Sequence, residues 1–252
     1  NIKMFKETSK ELLDFLSKSP TAFHAVENYR QILNADGFKE LLESEHWDIV
    51  PGGKYYVTRN NTSILAFKVG TKLDNYSFNI VTSHTDSPTF KVKENAEIEV
   101  KNKYTQLNTE GYGGMLCATW LDRPLSIAGR VLVSEGNSIV TKLLNIDRDL
   151  LMIPNVAIHM NRAANDGFKY NLQVDMLPLL SAGDDRQKDF KQIIADELGV
   201  KKEDILGHDL YLYNRMAPSI WGANEEFISS GHLDDLQCGF ASLKALLAGY
   251  ND

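Results

Sequence analysis

The sequence predicts an α/β fold in which an α/β domain is interrupted by a mostly β inserted domain, and three observations carry that prediction. Apolar residues recur at helical spacing near both ends of the chain. Short extended runs separated by turn residues fill the middle. The apolar run from Phe78 to Val81 ends in His84-Thr85-Asp86, and polar groups at strand ends are where open α/β sheets collect ligands.

Taken in order, Leu12, Leu13 and Leu16, then Phe23, Val26, Tyr29 and Leu33, recur every three or four residues and predict helix from about residue 5 to 35. Ser19-Pro20 breaks it, Thr21 is placed to cap the second helix, and His24 reads as a polar residue beside that cap. From Pro51-Gly52-Gly53 the pattern turns to strands: Lys54 to Thr58 and Ser63 to Val69 joined across Asn60-Asn61, then Tyr76 to Thr82.

Further on, Ala96 to Val100, Ile127 to Val133, Ser138 to Leu143 and Tyr211 to Tyr213 read as strands, with turns at Glu135-Gly136-Asn137 and Asn165-Asp166-Gly167. Phe190 to Leu198 reads as a helix stopped by Gly199, and Gly207-His208-Asp209 as a surface turn. The α/β domain is thus expected over residues 1–91 and 226–252, and the β-rich insert over 92–225. Phe240, Leu243, Leu246 and Leu247 supply the apolar face of a closing helix.

With 252 residues, 43% of them hydrophobic and 24% charged, the composition is that of a soluble globular protein. A net charge of −7 excludes nucleic acid and anionic membrane surfaces as expected partners, and Lys91, Lys93, Lys101 and Lys103 are expected on a solvated strand face. Cys117 and Cys238 form neither a disulfide framework nor a Cys-x-x-Cys spacing, so both are expected as small core residues in a reducing cytoplasm. No run is long enough to span a bilayer, and Lys3, Glu7 and Glu11 interrupt any signal-peptide pattern. A chain that starts at Asn1 and stops at Asp252, soon after a helix, suggests a fragment.

Residues two apart in an extended segment point to the same side, so His84 and Asp86 can share one site while Thr85 faces away. Asp86 can then accept from the second ring nitrogen of His84 or flank a metal. His-x-Asp also arises at strand ends by chance. The context adds Asp234-Asp235, immediately before the closing helix. An Asp there serves either as an N-cap or as the bridging oxygen ligand that a hard-to-borderline divalent ion needs.

These residues fall in motifs that resemble those of the aspartyl aminopeptidase family, dinuclear zinc exopeptidases. Ser19-Pro20-Thr21-Ala22-Phe23-His24-Ala25-Val26 is similar to the family's amino-terminal signature, and Ser83-His84-Thr85-Asp86-Ser87-Pro88 to its first metal motif. Tyr112-Gly113-Gly114, Thr119-Trp120-Leu121-Asp122-Arg123-Pro124-Leu125 and Ala128-Gly129-Arg130-Val131 follow, then Ala157-Ile158-His159-Met160-Asn161-Arg162 and Glu226-Phe227-Ile228 through Leu233-Asp234-Asp235-Leu236, all in the family's order.

The resemblance implies a zinc-exopeptidase-like domain hydrolysing amino-terminal residues from peptides, with a preference for acidic first residues carried by the family's name alone. It implies that His84 binds one zinc, Asp234 bridges two, and Asp86 orients or tunes the site as a catalytic residue; cobalt or manganese suit similar ligands. Two ions about 3.5–4 Å apart would generate the nucleophilic water and stabilise the tetrahedral oxyanion. His159, a lone His after an apolar run, reads as structural from the residues alone. The resemblance makes it a metal ligand or, as favoured here, a donor reaching a neighbouring subunit's site in a large homo-oligomer, with the insert serving assembly and lidding.

Glu225-Glu226 precedes Asp234, whereas the family's adjacent base and ligand glutamates follow it, so neither receives that role. The resemblance instead puts the base, a glutamate ligand, a later Asp and a final His beyond Asp252, leaving the chain catalytically incomplete. Gly231-His232 stands where relatives commonly show Pro-Arg, which makes His232 a candidate extra ligand. Two other readings compete: a non-catalytic scaffold keeping the assembly domain, and another dinuclear hydrolase acting on esters or amide side chains.

Overall fold

A computed structural model describes residues 2–75, 77–183 and 189–250, and the chain divides into two compact units. One comprises the residues up to Ser87 together with those from Ala217 onward; the other is Pro88–Met216. In chain order the elements are α1 (Ile2–Ser17), α2 (Ala22–Ala35), β1 (Lys39–Glu40), β2 (Lys54–Arg59), β3 (Ser63–Lys68), β4 (Thr89–Val100) and β5 (Tyr104–Tyr112). There follow β6 (Leu125–Glu135), β7 (Ser138–Asn145), the single turn α3 (Ala164–Gly167), β8 (Leu179–Ala182), α4 (Phe190–Leu198) and β9 (Ile205–Asn214). The chain closes with β10 (Ser219–Trp221), β11 (Phe227–Ser229) and α5 (Leu233–Ala248).

In the first unit the predicted break between α1 and α2 forms for local reasons. Ser19 donates from its hydroxyl to the Phe15 carbonyl at 2.7 Å, ending α1, and Thr21, in an extended conformation, accepts from the His24 backbone amide. His24 also meets the Thr21 hydroxyl through Nδ1 at 2.8 Å, and burial pushes its imidazole down to about 4, so it is a neutral partner of the cap. Leu12, Phe15, Leu16, Tyr29 and Leu33 pack with Leu236, Phe240 and Leu243 of α5, with the Phe15 ring 5.0 Å from Tyr29 and 5.6 Å from Phe240. This core rests on a three-stranded sheet, order β1-β2-β3, in which β1 runs parallel and β3 antiparallel to β2. The hairpin turns at Asn60 and Asn61, both at positive φ (53° and 54°), a conformation Asn tolerates and right-twisted hairpins require.

The predicted strand from Tyr76 to Thr82 is not found. Tyr76 lies outside the described residues, and residues 77–82 join none of the described sheets. Ile80 and Val81 are 78% and 71% exposed. A run apolar on both faces is the pattern of a strand covered on both faces, but pattern cannot supply the neighbours a strand must pair with.

The second unit is a six-stranded antiparallel sheet, order β7-β6-β9-β4-β5-β8, with α4 packed through Phe190, Ile194 and Ala195 into a core that includes Phe90, Leu107, Leu125, Ile127, Leu210 and Leu212. Helix α4 spans the predicted residues: Asp189 caps it by accepting from the Gln192 amide, and Gly199 ends it in the left-handed conformation at φ 64°. Gly207-His208-Asp209 is not a surface turn. His208 pairs with Val131 and Asp209 with Arg130 inside β9, where the Asp209 carboxylate lies 2.9 Å from Lys91 Nζ and 2.8 Å from Arg130 Nε. That double pairing lets a carboxylate sit within the sheet. Lys91 is therefore an ion-pair member rather than a merely solvated lysine.

Candidate metal centre

The backbone alternation expected around His84 is present. Thr85 turns its hydroxyl to donate to the Thr62 carbonyl at 2.5 Å, while His84 Nδ1 lies 3.2 Å from Asp86 Oδ1. His84 is exposed and Asp86 half-buried, so the imidazole stands at the surface of the first unit with a carboxylate at one ring nitrogen.

Helix α5 brings the second half of the cluster. Its start is irregular: His232 occupies the N-cap at φ 59° without a side-chain cap bond, Asp234 has non-helical φ/ψ (−88°, 112°), and the Asp234–Asp235 peptide bond is cis. The Asp235 amide donates to the Ser87 hydroxyl oxygen at 3.4 Å, tying the helix start to the segment that carries His84 and Asp86. Asp235 Oδ2 then lies 3.9 Å from His84 Nδ1. The acidic partner that approaches the imidazole most directly from α5 is thus Asp235, to which sequence reasoning gave no role beyond membership of the pair. Its signal was adjacency to Asp234.

The electrostatics follow from this crowding. The hydrogen bond to Asp86, then the negative charges of Asp235, Asp86 and Asp234, raise the His84 imidazole above its ordinary value. Asp234, hydrogen-bonded to Asp235 and like-charged, raises the Asp235 carboxyl above the usual carboxylate range, against the pull of His84. Carboxylates crowded around one imidazole are a donor set for a borderline divalent cation, which would relieve their mutual repulsion. The chemistry fits zinc; the number of ligands does not complete a site, because among the described residues no group of three His, Cys, Asp or Glu side chains comes close enough to hold an ion.

The other candidates are placed as follows. His232 is half-buried, and burial pushes its imidazole down to about 4, leaving it neutral. His159 belongs to the second unit and is exposed in a turn. Glu225 pairs with Lys6 at 2.6 Å, and Glu226 accepts from the Asn224 amide at 2.7 Å, so both have structural work in their own loop. Cys117 packs at the edge of the second unit's core, but Cys238 is exposed, contrary to expectation, because α5 turns Leu236, Gly239, Phe240 and Leu243 inward and residue 238 outward.

Residues 15–252 match the model of the aminopeptidase I zinc metalloprotease (M18) family. The chain is 48% identical over 244 residues to a probable M18 family aminopeptidase 2 of Clostridium novyi, covering 94% of this chain and 56% of that protein. The structure of Chaetomium thermophilum mApe1 superposes with a TM-score of 0.89 at 30% identity, over 98% of this chain and 59% of that one. The mApe1 of S. cerevisiae, whose structure is described as a dodecamer, gives 0.79 at 27% identity, over 96% of this chain and 56% of that one. The chain therefore spans a little over half the length of the relatives it matches. No described helix is long and apolar enough to cross a membrane. With nearly its whole length matched to one family model, and with the same fold as that family's solved members, the chain belongs to the aminopeptidase I zinc metalloprotease (M18) family.

Proposed function

We propose that this chain is the portion of a zinc-dependent aminopeptidase that carries the first metal ligands, and that the complete protein removes amino-terminal residues from peptides. The observation that supports it most directly is the convergence of His84, Asp86 and the Asp234–Asp235 pair from two distant stretches of sequence onto one spot. His84 and Asp234 would hold zinc, and Asp86, at Nδ1, would fix the imidazole's orientation and basicity. When bound, a pair of such ions supplies a hydroxide nucleophile near neutral pH and positive charge for the developing oxyanion.

The remaining ligands and the general base are assigned to sequence outside these 252 residues, consistent with the 56% of the Clostridium novyi relative that the chain covers. An acidic first residue is the proposed preference, resting on the family resemblance. A homo-oligomer, with His159 contributing to a neighbouring subunit's site, is the proposed assembly; the dodecamer described for the S. cerevisiae mApe1 and the exposure of His159 support it.

The test uses the product of the complete reading frame. Zinc-loaded protein should cleave unblocked peptides and spare the same peptides once acetylated at the amino terminus. Chelation, His84→Ala and Asp234→Asn should each abolish turnover. Cleavage of acetylated peptides, or of esters alone, would transfer the site to another hydrolase class, and a complete protein that binds no zinc and cleaves nothing would leave the scaffold reading.

A further inference from the structure

Helix α5, helix α2 and the backbone of His84 meet at one point where no methyl group fits. Gly239 is buried on α5, one helical turn beyond Asp235. A Cβ built on it would lie 2.2 Å from the Tyr29 hydroxyl oxygen, 3.1 Å from the His84 carbonyl oxygen and 3.5 Å from the Tyr29 ring carbon that bears the hydroxyl. Tyr29 is buried in the core of this unit with the Phe15 ring 5.0 Å away, so it has little freedom to withdraw. Its hydroxyl is buried and, among the described residues, makes no hydrogen bond. Burial also raises that phenol's pKa, so the group stays neutral. For core packing alone a Phe would fill the place without desolvating an unpaired hydroxyl.

We propose that Tyr29 and Gly239 are positioning residues for the metal centre: the Tyr29 hydroxyl is a wedge, and the missing Gly239 side chain is the notch that receives it, together fixing how close α5 comes to the His84 backbone. Asp235 is carried by the first turn of that helix and His84 by that backbone, so the wedge sets the 3.9 Å separation of the Asp235 carboxylate from the imidazole. The functional importance of this spacing rests on reading His84 and Asp234 as zinc ligands. The spacing itself does not. Adding a methyl at residue 239 overfills the notch, and removing the oxygen at residue 29 underfills it. Doing both exchanges one heavy atom for another in the same place, leaving contacts of 3.5 Å to the ring and 3.1 Å to His84.

The experiment is a double-variant cycle of Gly239→Ala, Tyr29→Phe and the pair together. The first readout is the 13C resonance of the His84 carbonyl in the isotopically labelled metal-free protein; the second is the zinc affinity of the complete protein, measured by competition with a chelator. Each single variant should move the His84 resonance and weaken zinc by about ten- to hundredfold, the usual effect of disturbing a ligand's support. The double variant should return both readouts close to those of the parent chain.

A simple packing role predicts lower melting temperatures with the His84 resonance unmoved, and that result would overturn the proposal. Failure of the double variant to restore the singles would do the same. Should Gly239→Ala not fold, Tyr29→Phe, which only removes an atom, still must shift the His84 resonance. Should the complete protein bind no zinc, the metal reading fails and the carbonyl resonance alone decides the wedge.

Discussion

Replacing Gly129 by Ala isolates a clash that the second unit cannot relieve. Gly129 lies opposite Leu210 in the β6–β9 pairing at φ 153°, and a Cβ there would sit 2.0 Å from the Asp209 carbonyl oxygen and 3.1 Å from the Leu210 Cα. Close carbon–oxygen contacts between neighbouring strands run at about 3.3–3.6 Å, so β6 and β9 would have to part by more than an ångström. The obstructing atoms are backbone, and no rotamer change clears them. A left-handed conformation costs an L-residue about 1–2 kcal/mol, and overpacking of this kind about 1–3 kcal/mol. The expected loss is therefore about 2–5 kcal/mol, a large part of the ~5–15 kcal/mol available to a typical domain. Gly136→Ala is the control: it shares a positive φ of 63° but meets nothing within 4 Å, so only the conformational cost, about 1–2 kcal/mol, should appear. Urea unfolding followed by Trp120 fluorescence reads the second unit, since that ring packs edge-on against Phe90 at 5.2 Å; Trp47 and Trp221, which lie in the first unit, are replaced by Phe. A Gly129→Ala midpoint no lower than that of Gly136→Ala, at unchanged slope, would refute the claim that backbone proximity dictates glycine here.

Three further expectations follow from charge and exposure. Burial alone would raise the Asp209 carboxyl, but hydrogen bonds and charge from Lys91 and Arg130 outweigh it and hold the group below its ordinary value. A depressed folded-state pKa stabilises fully above the unfolded value of about 3.9 and loses that contribution as pH falls through the folded one. Asp209→Asn should therefore cost about 1 kcal/mol at pH 7, allowing for partial exposure, and flatten the acid limb of a stability–pH profile; an acid limb identical to the parent's would rule Asp209 out. In the metal-free chain Asp86→Asn should let His84 lose its proton at lower pH, because the Asp86 hydrogen bond is the largest cause of the raised imidazole; an NMR titration with an unmoved His84 midpoint would contradict that. Ile80→Lys should change stability by no more than about 0.5 kcal/mol and reduce binding of a hydrophobic dye, since the side chain is 78% exposed; a loss of several kcal/mol would mean that Ile80 is packed.

The elements legible in the sequence are those whose causes are local. Asp189 and Gly199 delimit α4 by capping chemistry, Asn60-Asn61 closes a hairpin because both residues tolerate positive φ, and period-two alternation was enough to set Thr85 against His84 and Asp86. What the sequence misread depended on distant neighbours. His208 and Asp209 look like a polar turn until Lys91 and Arg130 arrive from β4 and β6. Cys238 looks like core until the inward face of α5 is fixed by Phe15 and Tyr29. The run after Tyr76 has the composition of a covered strand, and composition says nothing of where the cover comes from.

The choice between cap and ligand for Asp234 is narrowed by the shape of the helix start. A capping Asp adopts an extended conformation just before the helix and accepts amide hydrogens of the first turn. Asp234 instead sits one residue inside the helical span with non-helical φ/ψ, and its carboxyl bonds to that of Asp235 rather than serving as the cap, a position held by His232 without a side-chain cap bond. Two like-charged groups in contact raise each other's energy, a poor arrangement for stability alone. The positive end of the α5 dipole offsets part of that cost, because both acids lie in its first turn. His84, itself raised by them, offsets more. Acids that are poorly used as caps and held together against repulsion, with Asp235 3.9 Å from the His84 imidazole, support the proposal that this helix start prepares a place for a cation.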